Sequence, residues 1–162
     1  AVYYRIAAAN GDYKANIRLQ YLVRSGRVIV REPMDEVYQL NRALEKILPA
    51  TAYYHFYQYL SRGYGIKTEK GGHYAYLRKA ADMGNAEAQY IIGDMLTEIV
   101  DKNTRKVRFE VAEKMLICAA EQGFAKAGMD LAIMARLEKK YSEALKLYHQ
   151  SVKGGGLHLL WH

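Results

Sequence analysis

One cysteine, Cys118, and two prolines are all that a chain of 162 residues contains of these two types. A single cysteine excludes an internal disulfide and leaves the redox compartment open. Placed on a helix just before Ala119-Ala120, Cys118 reads as a buried, inert thiol. A catalytic cysteine needs a positioned histidine partner, which the spacing does not offer. No apolar run approaches the length needed to cross a bilayer, about 18 residues. Alternation with period two is also missing, apart from the short run Arg27-Val28-Ile29-Val30-Arg31, which reads as a linker. The expectation is all-α.

The residues that carry chemistry are equally sparse. Gly154-Gly155-Gly156 lacks the Lys-Ser/Thr that a phosphate-cradling loop needs and reads as a helix stop. His158 and His162 have the helical spacing of two zinc ligands, but no glutamate or third ligand accompanies them. His55, His73 and His149 are isolated from one another, and the acids fall on charged helix faces where no glycosidase-like pair can be singled out. No Lys/Arg block or recognition module accompanies the basic residues, which excludes a strong nucleic-acid reading. No catalytic residue, cofactor or metal is therefore expected. A non-enzymatic protein is.

What the chain does have is self-similarity. Ala80-Ala81-Asp82-Met83-Gly84-Asn85-Ala86-Glu87-Ala88 recurs as Ala119-Ala120-Glu121-Gln122-Gly123-Phe124-Ala125-Lys126-Ala127 and, earlier, as Ala7-Ala8-Ala9-Asn10-Gly11-Asp12-Tyr13-Lys14-Ala15. A degenerate copy runs from Leu44 through Leu48 to Ala52. The steps from Gly11 to Leu48, Gly84 and Gly123 are 37, 36 and 39 residues. A fixed period of this length marks an array of supersecondary units. Each unit reads as two amphipathic helices. Ala15, Ala52, Ala88 and Ala127 align in the front helices, and Leu19, Phe56, Ile92 and Leu131 lie four residues on, on the same face. Tyr76-Leu77, Met115-Leu116 and Leu147-Tyr148 hold the matching positions of the back helices, while Pro33 and Pro49 suit helix starts. Such an array is one elongated domain without a linker. Its expected units are approximately 1–12 as the end of a truncated repeat, 13–48, 49–85, 86–123 and 124–155, then a C-terminal segment. Tyr3 aligns with Tyr76 and Met115, so the first residues read as the end of a back helix whose front helix is missing. The expectation is that the chain begins inside a longer protein, with an uncovered apolar stripe near Tyr3.

Ala86-Glu87-Ala88-Gln89-Tyr90-Ile91-Ile92-Gly93, preceded by the Ala-Ala-x-x-Gly of residues 80–84, resembles a Sel1-like repeat, a relative of the tetratricopeptide repeat. Gly63-Tyr64-Gly65 matches that family's Gly-x-Gly loop. The resemblance covers nearly the whole chain and implies a right-handed α-solenoid of helix pairs. Two departures stand out. The loop from Ile99 to Lys106 is longer and lacks the glycine pair, and the stretch from Arg136 to Tyr141 joins its helices tightly, as in a tetratricopeptide repeat.

The resemblance also implies that the front helices line a concave surface. Their register then gives the candidate binding set: Lys14, Ile17, Tyr21 and Arg24; Thr51, Tyr54 and Gln58; Glu87, Tyr90 and Asp94; Lys126, Met129, Ile133 and Arg136. Tyrosine accounts for 15 residues, most densely in Tyr53-Tyr54-His55-Phe56-Tyr57-Gln58-Tyr59. Exposed Tyr, Met, Ile and Arg are the composition of a protein-binding groove. The run Pro49-Ala50-Thr51-Ala52-Tyr53-Tyr54 is similar to bacterial Sel1-like proteins encoded beside type VI secretion effectors. Those are immunity proteins that block a toxin, often a phospholipase, in the periplasm. The resemblance thus implies one cognate partner protein, and the net charge of +7 points to an acidic patch on it. An envelope adaptor or scaffold is the second reading, with the cytoplasm as the alternative compartment. A monomer, or weak self-association through the truncated end, is expected.

Overall fold

A computed structural model describes residues 2–64, 72–98, 105–137 and 139–153. Among them are nine helices and no strand: α1 Val2–Ala9, α2 Tyr13–Arg24, α3 Pro33–Glu45, α4 Pro49–Ser61, α5 Gly72–Asp82, α6 Ala86–Glu98, α7 Arg105–Glu121, α8 Ala125–Leu137 and α9 Tyr141–Lys153. The all-α class expected from the repeats is what the structure has. The 27–31 run is irregular backbone. Two compact units emerge, Ala1–Met83 and Gly84–His162. Within each, successive helices pack on one another.

The repeated Gly-Asx pair explains how a back helix ends and a front helix begins. Gly11 and Gly84 hold φ of 88° and 90°, a left-handed conformation costly for any residue with a Cβ. The next residue then caps the following helix. The Asp12 carboxylate accepts from the Ala15 amide at 3.0 Å, and the Asn85 side chain accepts from the Ala88 amide at 2.9 Å. The degenerate copy solves the same junction differently. Leu48 stands at the glycine position with φ of −134°, and Pro49 opens α4 at a position where its missing N–H costs nothing.

Unit 1 is filled with rings. Leu19, Val23, Val37, Phe56, Tyr59 and Tyr76 form its buried cluster, with Tyr38, Tyr53, Tyr57, Leu60 and Tyr64 packed around it. Phe56 is fully buried, its ring centroid 5.1 Å from Tyr76 and 5.6 Å from Tyr38. A buried polar chain ties three helices of this unit together. The Tyr59 hydroxyl on α4 donates to Gln20 Oε1 at 2.6 Å, Gln20 Nε2 donates to Asn16 Oδ1 at 2.7 Å, and Asn16 Nδ2 donates to the Leu40 carbonyl of α3 at 2.9 Å.

Unit 2 relies on small residues instead. Leu116, Ala119, Ala127, Leu131 and Met134 form its buried cluster. Gly93 of α6 and Gly128 of α8 let the paired helices close in: a Cβ added at Gly93 would sit 2.8 Å from Leu116 Cγ, and one at Gly128 2.2 Å from Ser151 Oγ. The aligned alanines Ala15, Ala52, Ala88 and Ala127 are all buried, as are Leu19, Phe56 and Leu131, whereas Ile92 is half-buried. The tight junction after Arg136 is present, with Lys139 taking φ of 63° between α8 and α9.

One expectation is overturned. Cys118 is exposed, not buried. The buried stripe of α7 is Ala112, Leu116 and Ala119, and two residues beyond Leu116 the helix has turned its side chain away from the core. On α1, Val2, Tyr3 and Ile6 are exposed and the helix buries none of its residues. The glycine-poor loop at 99–104, the second glycine of the Gly-x-Gly loop, the glycine triplet and the His158/His162 pair lie outside the described residues.

Candidate functional site

The seven candidate positions of unit 1 lie on α2 and α4. Tyr21 is 38% exposed, Lys14 is exposed, and Ile17 and Arg24 are half-buried. The structure brings more to them than their spacing announced. The Arg18 and Arg27 guanidiniums lie 5.3 and 5.5 Å from the centre of the Tyr21 ring. Arg24 lies 5.5 Å from the Tyr59 ring and 5.8 Å from that of Tyr64, joining the end of α2 to the end of α4. Guanidinium on an aromatic face is attractive, by about 0.5–1 kcal/mol where exposed and more where water is excluded. Thr51, Tyr54 and Gln58 are half-buried on α4, and Tyr54 stacks on Tyr57 with centroids 6.1 Å apart.

Beside Tyr59 on α4 lies His55, whose ring centroid is 5.8 Å from that of Tyr59 and whose Nδ1 is buried with no hydrogen-bond partner. Burial first, and the Arg24 charge second, push its pKa down to about 4. It is neutral at pH 7. Burial likewise pushes the Tyr59 phenol up to about 12, against the pull of Arg24 and Arg62.

The candidate positions of unit 2 lie on α6 and α8 and have a different character. Tyr90 is half-buried, its ring 5.0 Å from Phe124, and its side chain is hydrogen-bonded to Asp130. Burial, then the charges of Asp130 and Asp94, push the Tyr90 pKa up to about 12. The Asp130 carboxyl is also raised, by burial and by Asp94, while Tyr90 and Lys126 pull it back. Asp130 Oδ2 is buried without a hydrogen-bond partner. Around this group Glu87, Lys126 and Arg136 are exposed, Ile133 is 38% exposed, and Met129 and Asp94 are half-buried.

Sequence reasoning missed Arg18, Arg27, Tyr59, Tyr64 and Asp130. Two of them carried a usable signal. Arg18 lies four residues after Lys14 and three before Tyr21, and Asp130 lies four after Lys126, so helical spacing alone puts both on the chosen face. Arg27 and Tyr64 come from loops, where no periodicity speaks. Neither unit's face offers a nucleophile beside a base, and no group of three or more potential metal ligands occurs among the described residues. Rings, hydroxyls and fixed charges can receive another protein's side chains.

No family model and no curated protein matches the chain. Solved structures do. An immunity protein from Pseudomonas aeruginosa is 26% identical, with a TM-score of 0.62 over 94% of this chain and 56% of that one. A second immunity protein from the same organism is 24% identical, with a TM-score of 0.63 over 94% and 55%. A Sel1 repeat protein from Oxalobacter formigenes is 19% identical, with a TM-score of 0.67 over 94% and 62%. The chain thus spans between half and two thirds of the length of these structures. No helix among the described residues is long and apolar enough to cross a membrane. The fold is that of Sel1-like repeat proteins, and the chain resembles immunity proteins built on it.

Proposed function

We propose that this chain is a non-enzymatic protein-binding module that acts as an immunity protein. It binds and neutralises one cognate type VI secretion effector, a phospholipase, in the periplasm. The observation that carries this reading is the 26% identical immunity protein, whose fold matches over 94% of this chain. The front helices support it, because their buried stripes leave a second face of Tyr, Arg, Met and Ile at or near the surface.

The contact residues are Tyr21, Arg24 and Tyr54 on unit 1 and Tyr90 on unit 2. Truncating such an anchor at the centre of an interface costs at least about 2 kcal/mol, roughly thirtyfold in affinity. Co-expression should rescue cells from the periplasmic toxicity of the effector while this protein shows no lipase activity of its own. A Tyr21→Ala/Tyr54→Ala/Tyr90→Ala variant that stays fully helical should lose both rescue and affinity. Undiminished protection by that variant rules out the front helices as the binding site.

A further inference from the structure

Charge on unit 1 is distributed in a way that net charge does not convey. The helices α2 and α4 contain no aspartate or glutamate. Asp12, which caps the start of α2, spends its carboxylate on the Ala15 amide. By contrast α3 carries Asp35, Glu36 and Glu45, and there carboxylates find cations: Glu36 pairs with Arg5 at 3.3 Å, and Glu45 pairs with Arg42. The arginines that run from the middle of α2 into the loop after it are treated differently. Arg18, Arg24 and Arg27 lie against tyrosine rings, and among the described residues none forms a salt bridge.

An arginine laid on a ring is restrained through its flat face, while its N–H edge stays available to a planar acceptor. Carboxylate is such an acceptor, able to take two parallel hydrogen bonds from one guanidinium. Because the rings already limit these side chains, less rotamer entropy is lost when an acceptor arrives. Tyr21, exposed between Arg18 and Arg27, adds apolar surface and a hydroxyl beside the charges.

We propose that Arg18, Arg24 and Arg27, set on Tyr21, Tyr59 and Tyr64, form a docking site for an acidic segment of the partner protein. This rests on the protein-binding reading above and names the chemistry of the partner. Nucleic acid and anionic membranes are poorer fits. Both reward a continuous basic track, whereas here three guanidiniums, spread from the middle of α2 to the loop after it, lie against tyrosine rings.

The test uses a fluorescein-labelled Asp/Glu-rich peptide, followed by anisotropy at physiological ionic strength. Arg18→Gln/Arg24→Gln/Arg27→Gln should weaken binding by at least about tenfold. A control with the same loss of charge at exposed sites elsewhere, Lys46→Gln/Arg78→Gln/Lys114→Gln, should weaken it by about threefold or less. An Arg18→Gln/Arg27→Gln pair, whose side chains are both exposed, gives an intermediate loss and guards against misfolding of the triple variant. Equal losses in triple variant and control overturn the proposal, as does preferential binding of oligo-dT or phosphatidylglycerol vesicles. The arginine variant should also bind the effector more weakly and with a shallower salt dependence. An effector that binds this variant as tightly as wild type, yet fails to bind the tyrosine variant, overturns the acidic-segment proposal and leaves the immunity reading standing.

Discussion

Unit 1 and unit 2 are built from the same repeat, yet they fill the space between helices in opposite ways. Unit 1 holds its helices around bulky rings, Phe56, Tyr59 and Tyr76, and threads a polar chain through Tyr59, Gln20 and Asn16. Unit 2 draws paired helices together over Gly93 and Gly128, with alanines between. Their front faces differ as well. On unit 1 arginines rest on tyrosines, whereas on unit 2 a tyrosine is tied to an aspartate beside a second acid. The lesson is that a helix-pair repeat fixes which positions are buried but not how their volume is made up. A ring core and a glycine contact fail differently when mutated.

The largest effect is expected where unit 1 depends on one ring. Phe56 is fully buried between Tyr38 and Tyr76, so Phe56→Ala leaves a cavity that the stiff neighbouring rings cannot close. Such truncations cost about 3–5 kcal/mol. Chemical denaturation should show that loss, and hydrogen exchange should show protection falling first in α2 to α5. A cost below about 1 kcal/mol would mean that the ring core yields as readily as a surface site, and that the two units do not differ in how they respond to lost volume.

Unit 2 should be sensitive to added volume. At Gly93 a new methyl meets Leu116 Cγ at 2.8 Å and the Ala112 carbonyl oxygen at 3.3 Å. Leu116 is fully buried and its branch carbon cannot swing aside freely, so Gly93→Ala should cost about 1–3 kcal/mol despite the better helix propensity of alanine. Gly128→Ala meets chiefly the Ser151 hydroxyl, which a rotation about χ1 removes at the expense of its 2.8 Å hydrogen bond to the Leu147 carbonyl, a net loss of about 1 kcal/mol. The propensity gain of about 1 kcal/mol then offsets most of that loss, and the change should be close to neutral. Melting of the two variants side by side decides the matter. Equal destabilisation would show that Ser151 cannot yield.

The sequence made the repeat legible because its signals are local. The double alanine, the glycine with positive φ and the residue after it act within one helix junction, so Gly11-Asp12 and Gly84-Asn85 could be read without any tertiary knowledge. The buried stripe was equally legible, since aligned alanines with a large apolar residue four positions on can satisfy only one face of a helix. Side chains that act across elements were not. Arg24 meets Tyr59 and Tyr64 from different parts of the chain, and Gln20 accepts from Tyr59, 39 residues away, a partner that no local pattern announces. Cys118 differs for a simpler reason: it neighbours Ala119-Ala120 in sequence, but consecutive helical residues point about 100° apart, so it lies off the buried stripe.

The effect that separates the units by sign is the response to acid. His55 of unit 1 has a folded pKa of about 4 against an ordinary value of 6.5, so the unfolded chain binds more protons between those pH values. Its contribution to stability is therefore complete above about pH 6.5 and is lost as the pH falls toward 4. Asp130 of unit 2 has its pKa raised from the ordinary 3.8, so the folded state is the one that holds the proton longer. Its strain is relieved as the pH falls through the raised folded value, and returns as the pH rises above it. Hydrogen exchange corrected for intrinsic rates, between pH 6.5 and 4, should show protection falling around His55 in α4 while α6 and α8 lose less. In His55→Phe the acid sensitivity of α4 should flatten. In Asp130→Asn, which keeps a neutral partner for Tyr90, the relief in α6 and α8 should disappear. If α4 in His55→Phe remains as acid-sensitive as in wild type, the buried imidazole is not what weakens unit 1.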